Sequence, residues 1–375
     1  MTAFRHRLEG PAHKAWPPLF LAAVIVVTWI LVDSFGDVVY QTTAGRMLLM
    51  LIIVLGLQMF SGNSGVLSFG HIVFVAIGAY SSALLTIPTE IKKFSFLTMP
   101  HWLSYWIFPA QLSPLEGTLA GGGFAALFAL IVAPAIVRLR GVQAGIATLA
   151  LLVISNVFIV QTSSITRGTS TQIGVPTSTT LLSLMLWSLI FIGLVFAFRQ
   201  SRFGLRLRAS RENERAARSV GVQVPSQRGI AWVLSAFVCG VAGALYGHYF
   251  GGTFSYLDFY FNTNGQDIVL LPIAMLVVGG MTSVTGAVVG CYLITIVYEI
   301  FRRWEVNGLA GYAPPSGTTN LVLAIVLLVT LALRPKGLTG GREIPWPGDW
   351  SLDWLRRLRG KQPIEHATGT AGSIK

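Results

Sequence analysis

Long apolar runs separated by short polar connections set the pattern of this chain. A bilayer-spanning helix needs about 17–25 mostly apolar residues. Runs near that length predict ten candidate spans, at 17–32, 44–60, 66–87, 117–137, 141–161, 181–198, 229–250, 267–281, 284–301 and 318–334. The runs at 267–281 and 284–301 are short and parted only by "GGMTSVTG", which predicts that one of them is tilted, broken or re-entrant. Between the third and fourth runs, "MPHWLSYWIFPAQLSP" is too short and too interrupted to span. Its Trp and Tyr suit a membrane–water interface, as do Tyr246 and His248 near the end of the seventh run. The first run follows a basic start (Arg5, Arg7, Lys14) like that of a signal peptide, but no small-x-small cleavage site follows it. It is expected to remain as the first span. The pattern predicts an all-α polytopic membrane protein with about ten transmembrane helices.

Two stretches break the apolar pattern. "SGNSGVLSFGH" (61–71) and "VVGGMTSVTGAVVG" (277–290) set glycine and hydroxyl or amide side chains where continuous helix is expected. Irregular backbone at membrane depth is tolerated only where protein or a water-filled cavity satisfies it. Interruptions at corresponding places in the two halves point to a substrate path. The candidate path residues are Asn63, Ser64, Gly65, Ser68, Gly70 and His71 in the first break and Gly279, Gly280 and Gly286 in the second. His71, a lone histidine at a span's start, also reads as a helix-end hydrogen-bonding residue. Small-xxx-small pairs at Gly141/Gly145, Gly243/Gly247 and Gly286/Gly290 predict close helix approach.

Composition agrees: 53% of residues are hydrophobic and 11% charged, with a mean hydropathy of +0.66. The net charge of +12 does not gather on one face, as nucleic-acid binding would require, but is sorted between the apolar runs. With the N-terminus inside, three basic residues precede the first span and two lie in "RLRG". Eight more lie in 199–228 and eight from Arg334 onward, so 21 of the 27 fall on one side. By the positive-inside rule both termini and the 199–228 loop are expected in the cytoplasm. Basic residues after Arg334 are expected to stay solvated or touch anionic lipid, and the tail "EHATGTAGSIK" reads as disordered. Cys239 and Cys291 lie inside apolar runs, without metal-ligand spacing, and read as packing residues. Almost no ionisable residue falls in mid-span, whereas ion-driven carriers need such groups. This argues against a self-contained carrier or channel. The chain lacks the G-x-x-x-x-G-K-[ST] phosphate loop, so no ATP hydrolysis of its own is expected.

Segment 199–228 carries eight arginines and two glutamates, more than a connecting turn needs. Within "RASRENERAARSVGV" the spacing predicts one short helix capped by Ser210, with Glu212–Arg215 and Glu214–Arg218 pairs and Gly221 ending it. On these features alone it is either a solvated topology determinant or a docking element for a cytoplasmic partner.

"GLRLRASRENERAARSVGVQVPSQRGIAWVLSAFVCGVAGALYGHY" closely resembles the cytoplasmic loop and following span of permease subunits in branched-chain amino acid ABC transporters, the LivM-type subunit in particular. "SGNSGVLSFGHIVFVAIGAYSSALL", "VRLRGVQAGIATLAL", "VVGGMTSVTGAVVG" and "LRPKGLTG" are similar to further family segments in the same order, so the resemblance runs from about residue 44 to 340. It implies an ABC importer permease fold with a membrane domain at 17–334, an N-terminal segment at 1–16 and a C-terminal tail at 335–375. It also implies that Arg208, Arg211, Glu212, Asn213, Glu214, Arg215, Ala216, Ala217, Val220 and Gly221 form an ATPase-coupling element. The implied partners are a second, H-type permease subunit, two ABC ATPase subunits that carry ATP and Mg, and a periplasmic solute-binding protein. The location would be the bacterial inner membrane, with no cofactor bound by this chain. "SITRGTSTQIGVP" (163–176) lacks the second glycine and the acidic residue usual there, and Met281 and Thr282 replace small residues. The first departure, on the side expected to face outward, leaves open urea, short amides or organic and aromatic acids as the solute.

Overall fold

The structure is a computed structural model that describes residues 11–139, 141–249, 254, 255, 259, 269–308 and 314–345, with side chains from Ala15 onward. The compact unit is Pro18–Glu343. Among its described residues the regular secondary structure is helical, apart from one isolated bridge between Gln172 and Phe254.

The first run forms α1 (Pro11–Phe35), and the second forms α2 (Val38–Leu57), extended by a π-helical turn at Gln58–Gly62. Two breaks in the chain then define α3 (His71–Thr86) and a short α4 (Thr89–Ser95), bent by 117° relative to α3. After these come α5 (His101–Ile107), α6 (Pro114–Ile136), α7 (Gly141–Gln161) and the single turn α8 (Ser163–Thr166). The second half holds α9 (Leu181–Gln200), α10 (Arg202–Glu212), α11 (Glu214–Ser219) and α12 (Val224–Tyr249). It closes with α13 (Leu271–Gly279), α14 (Val284–Asn307) and α15 (Thr318–Leu333). Among the described residues seven helices are long and apolar enough to cross a membrane, or eight if α3 and α4 count as one bent span. The expected ten is therefore approximate, because α13 and α15 stop short of spanning length. The chain is nonetheless an all-α, multi-pass membrane protein.

Glycine decides where the core sits. α12 lies against α3 and α6, and the approach is so close that a methyl on Gly243 would sit 1.8 Å from the Val75 carbonyl oxygen. A methyl on Gly78 would sit 2.0 Å from the Gly240 oxygen, and one on Gly121 2.7 Å from the Gly78 oxygen. Lipid gives helices no hydrophobic reason to associate, so such backbone-to-backbone packing is what holds them. The Gly286/Gly290 pair behaves in the same way: methyls there would meet Gly280 O at 2.4 Å and Met275 O at 1.9 Å. Gly141 and Gly145 do not. Nothing lies within 4 Å of a Gly141 methyl, and the two glycines border a cavity instead. Cys239 and Cys291 are buried free thiols, as expected of packing residues.

The outward faces of α1, α6, α7 and α15 are large and apolar, with Ile131, Ile154 and Leu328 among the exposed side chains. α5 carries the exposed Trp102, Tyr105 and Trp106 expected of an interfacial segment. Lys92 fixes its far end by donating from Nζ to Ile107 O (3.0 Å) and to Ala110 O. His248 departs from the interface reading. It is buried, with Nε2 2.9 Å from Ser82 Oγ and Nδ1 2.8 Å from Pro176 O, because α12 is walled in by α3 and the 176–180 segment.

Candidate functional site

The arginine-rich segment is two helices rather than one. Ser201 ends α9 and caps α10, its hydroxyl accepting from Gly204 N at 3.2 Å. α10 stops at Asn213, whose extended backbone (φ −151°, ψ 101°) breaks the helix while its Oδ1 accepts from Ala216 N at 3.1 Å and starts α11. Asn competes with the backbone for hydrogen bonds in just this way, which makes it a helix starter in mid-sequence. Ser210 is therefore not the cap: it is buried inside α10, donating to Leu207 O at 2.7 Å. Gly221, at φ +83°, takes the left-handed conformation that ends α11.

The expected ion pairs are half realised. Arg218 meets Glu214 at 2.7 Å, and Arg228 reaches the other Glu214 oxygen at 3.3 Å. Glu212 does not pair with Arg215. Asn213 puts the two on different helices, and Glu212 meets Arg211 at 2.6 Å instead. That bond and the Arg211 charge hold the Glu212 carboxyl below its ordinary pKa. Arg208, donating from Nη2 to Arg199 O at 3.1 Å, is lowered first by burial and then by the charge of Arg211. Gly204, Leu207 and Ala217 face inward, whereas Arg215, Ala216 and Val220 face out, Val220 being 78% exposed.

The first break begins at the π-helical turn, which releases carbonyls from the regular ladder. Asn63 recovers one of them, donating from Nδ2 to Met59 O at 2.9 Å. Ser64 Oγ accepts from Val66 N at 3.2 Å, and Ser68 Oγ accepts from Gly70 N at 3.3 Å. His71 is held at both nitrogens, Nδ1 2.8 Å from Ser68 Oγ and Nε2 3.0 Å from Ser235 Oγ, in a ring of Phe60, Phe74 and Trp232. It is the helix-end hydrogen-bonding residue that the sequence suggested. Gly70 has no room for a side chain: a methyl would sit 2.8 Å from Thr148 O. Gly65, at φ +73°, borders a cavity of about 390 Å³ against Gly141, Gly145 and Leu149 of α7. A larger cavity of about 510 Å³ lies between α3, α6 and α7, lined by apolar groups such as Ile77, Leu84, Phe128 and Ile159.

The second break is the turn between α13 and α14. A methyl on Gly279 would sit 1.8 Å from Gly286 O, Gly280 turns at φ +122°, and Ser283 caps α14 by accepting from Gly286 N at 3.0 Å. The breaks meet, because a methyl on Gly62 would lie 2.4 Å from Met281 O. The first break also meets the arginine-rich segment. Arg211 donates from Nη1 to Gly62 O at 2.7 Å, and its stem lies over Gly65, where a methyl would be 2.6 Å from Arg211 Cγ. Arg208 to Gly221 and the breaks therefore form one connected site.

Sequence reasoning missed a third component, the strap 334–343. Arg334, Lys336 and Arg342 are exposed, as expected, but the backbone between them docks on the second break. Leu338 N donates to Val278 O at 2.9 Å, Thr339 N to Gly279 O at 3.1 Å, and Thr339 Oγ1 lies 3.0 Å from Ser283 Oγ. Glu343 then accepts from Val284 N at 2.9 Å and from Thr285 N at 3.0 Å at the start of α14, and pairs with Arg199. The signals in the sequence were the "LRPKGLTG" segment and a carboxylate, Glu343, within a basic, glycine-rich tail. Residues 346–375, including the expected disordered tail, lie outside the described residues.

Residues 39–331 match the family described as branched-chain amino acid transport system, permease component. A probable branched-chain amino acid transport permease, LivH of Methanocaldococcus jannaschii, is 28% identical over 45% of this chain, which spans about half (48%) of that protein's length. The high-affinity branched-chain amino acid permease LivM of Salmonella typhimurium is 26% identical over 85% of this chain and 74% of its own length. The nucleoside ABC transporter permease NupC of Lactococcus lactis is 26% identical over 73% of this chain and 85% of its own.

Proposed function

The chain belongs to the branched-chain amino acid transport system permease component family, and from that premise we propose that it forms half of the path by which an ATP-driven importer takes up branched-chain amino acids. The partners in this reading are a second, H-type permease subunit, two ABC ATPases that bind and hydrolyse ATP with Mg, and an external solute-binding protein. The membrane domain is 17–334, flanked by cytoplasmic segments 1–16 and 335–375, in the bacterial inner membrane. α10 and α11 are the coupling element: an ATPase grips their outer face, and closure of the ATPases moves the breaks.

One observation carries the reading. A water-side helix pair, with Arg215 and Val220 turned outward, is bonded through Arg211 to the carbonyl of Gly62, where a spanning helix loses its regular hydrogen bonding. A topology determinant needs only charge. It needs no outward apolar residue and no bond to a broken span. The LivM relatives support a branched-chain amino acid as the solute, and the NupC relative favours a nucleoside as the second reading.

The test is uptake by proteoliposomes holding the assembled transporter and its binding protein. The expected result is ATP-dependent entry of leucine, isoleucine or valine that requires the binding protein. Entry of adenosine or uridine without leucine overturns the substrate assignment. Entry without ATP overturns the importer itself.

A further inference from the structure

The C-terminal strap has no expected part in transport, yet it supplies a dense polar joint between α9 and α14. Glu343 places both carboxylate oxygens at the start of α14. Oε1 accepts from Val284 N at 2.9 Å, while Oε2 accepts from Thr285 N at 3.0 Å and from Thr285 Oγ1 at 2.6 Å. Oε1 also meets the guanidinium of Arg199, in the last turn of α9, two residues before the cap of α10. Both side chains are mostly shielded, 13% exposed for Arg199 and 20% for Glu343. Arg199 O in turn receives the Arg208 guanidinium. A carboxylate at a helix N-terminus is stabilised by the free N–H groups and the dipole there. A bond from that carboxylate to an arginine ties the helix end to wherever the arginine sits.

We propose that Glu343 is a positioning residue which, with Arg199, couples the root of the arginine-rich helix pair to the second break, so that the strap 334–343 moves with that break. This rests on the reading of α10 and α11 as the coupling element. It adds a second linkage to the Arg211–Gly62 bond. Arg211 reaches the end of α2, and Glu343 reaches the start of α14. Displacement of α10 thereby bears on both sides of the Gly62–Met281 contact at once. The strap completes the linkage because Leu338 and Thr339 are bonded to Val278 and Gly279, the last residues of α13.

The experiment compares wild type with E343A, E343Q, R199A, R199K and the R199A/E343A double variant in the assembled, reconstituted transporter. Membrane abundance, solute uptake and solute-stimulated ATP hydrolysis are measured for each. The proposal expects E343A and R199A to lose uptake about tenfold or more, since each breaks the shielded Arg199–Glu343 pair and E343A also removes the bonds to Val284 and Thr285. Hydrolysis falls by less, so more ATP is spent per solute moved. R199K, which keeps the charge, retains most uptake. The double variant is no worse than either single one, because both act through one joint. Uptake and hydrolysis falling in proportion, or both falling only with abundance, assigns Glu343 a purely structural role and overturns the proposal, as does unchanged uptake. If E343A fails to insert, the isosteric E343Q and R199A decide by the same ratio. Wild type that shows no solute-stimulated hydrolysis would instead fail the coupling reading itself.

Discussion

Replacing Gly243 by alanine tests the packing that positions the site. The added methyl would lie 1.8 Å from Val75 O, 2.7 Å from Val75 C and 2.9 Å from Val75 Cα, all backbone of α3, where ordinary contact begins near 3.4 Å. No side chain can turn aside to admit it. α12 must withdraw from α3 by about 1.5 Å, and a gap of even 0.5–1 Å already forfeits about a quarter to a half of each contact's dispersion energy. Overpacking of this kind costs about 1–3 kcal/mol, against which alanine's better helix propensity returns about 1 kcal/mol. The net expectation is a loss of up to about 2 kcal/mol. Gly193 is the matched control: it also lies in a helix, with nothing within 4 Å of its would-be methyl, so G193A should be neutral or stabilising. The assay is denaturant unfolding of the purified subunit in detergent, followed by Trp fluorescence; Trp232 sits in α12 beside Phe60, Phe74 and His71. Equal midpoints for G243A and G193A would refute the claim that backbone contact holds the core.

Two further outcomes follow from the same geometry. R211A removes a charge-assisted bond to Gly62 O at a half-buried place, worth about 1.5–3 kcal/mol. It should cut uptake at least tenfold at unchanged membrane abundance, whereas uptake at wild-type level would show that the bond to the first break is idle. A single cysteine at position 213, with Cys239 and Cys291 replaced, should resist membrane-impermeant maleimide in intact cells, whereas one at 102 should react. Labelling at 213 and not at 102 would invert the orientation.

The spans of the first half were legible because their apolar length is a local property: α2, α6 and α7 lie where the runs of the sequence place them. The same holds for the two breaks, since glycine, serine and asparagine at 61–71 and 277–290 cannot sustain buried regular helix without other partners. What the sequence did not reveal depends on distant contact. Helix α13 looks like a span by composition but is described over only nine residues. Asn213 was passed over as a cap in favour of Ser210, because only burial of Ser210 against the bundle decides between two good capping residues. Glu343 acts 58 residues away, on Thr285, and nothing in a basic tail announces that partner. His248 reads as an interfacial residue until the wall that buries it is seen.

The central claim is that α10 and α11 are gripped by a partner rather than merely solvated. Reversing Arg215 and making Val220 acidic (R215E with V220E) tests it most directly. Both side chains are exposed, and neither takes part in the ion pairs of Glu214 or Arg211 that hold the helices together. The fold should lose little, within about 0.5 kcal/mol for exposed positions, while repulsion and buried charge at a docked surface cost several kcal/mol. The measurement is binding-protein-stimulated ATP hydrolysis by the reconstituted transporter, alongside membrane abundance. The account predicts normal abundance with stimulated hydrolysis and uptake both abolished. Stimulated hydrolysis at the wild-type rate would contradict it and leave the arginine-rich pair as a solvated connection.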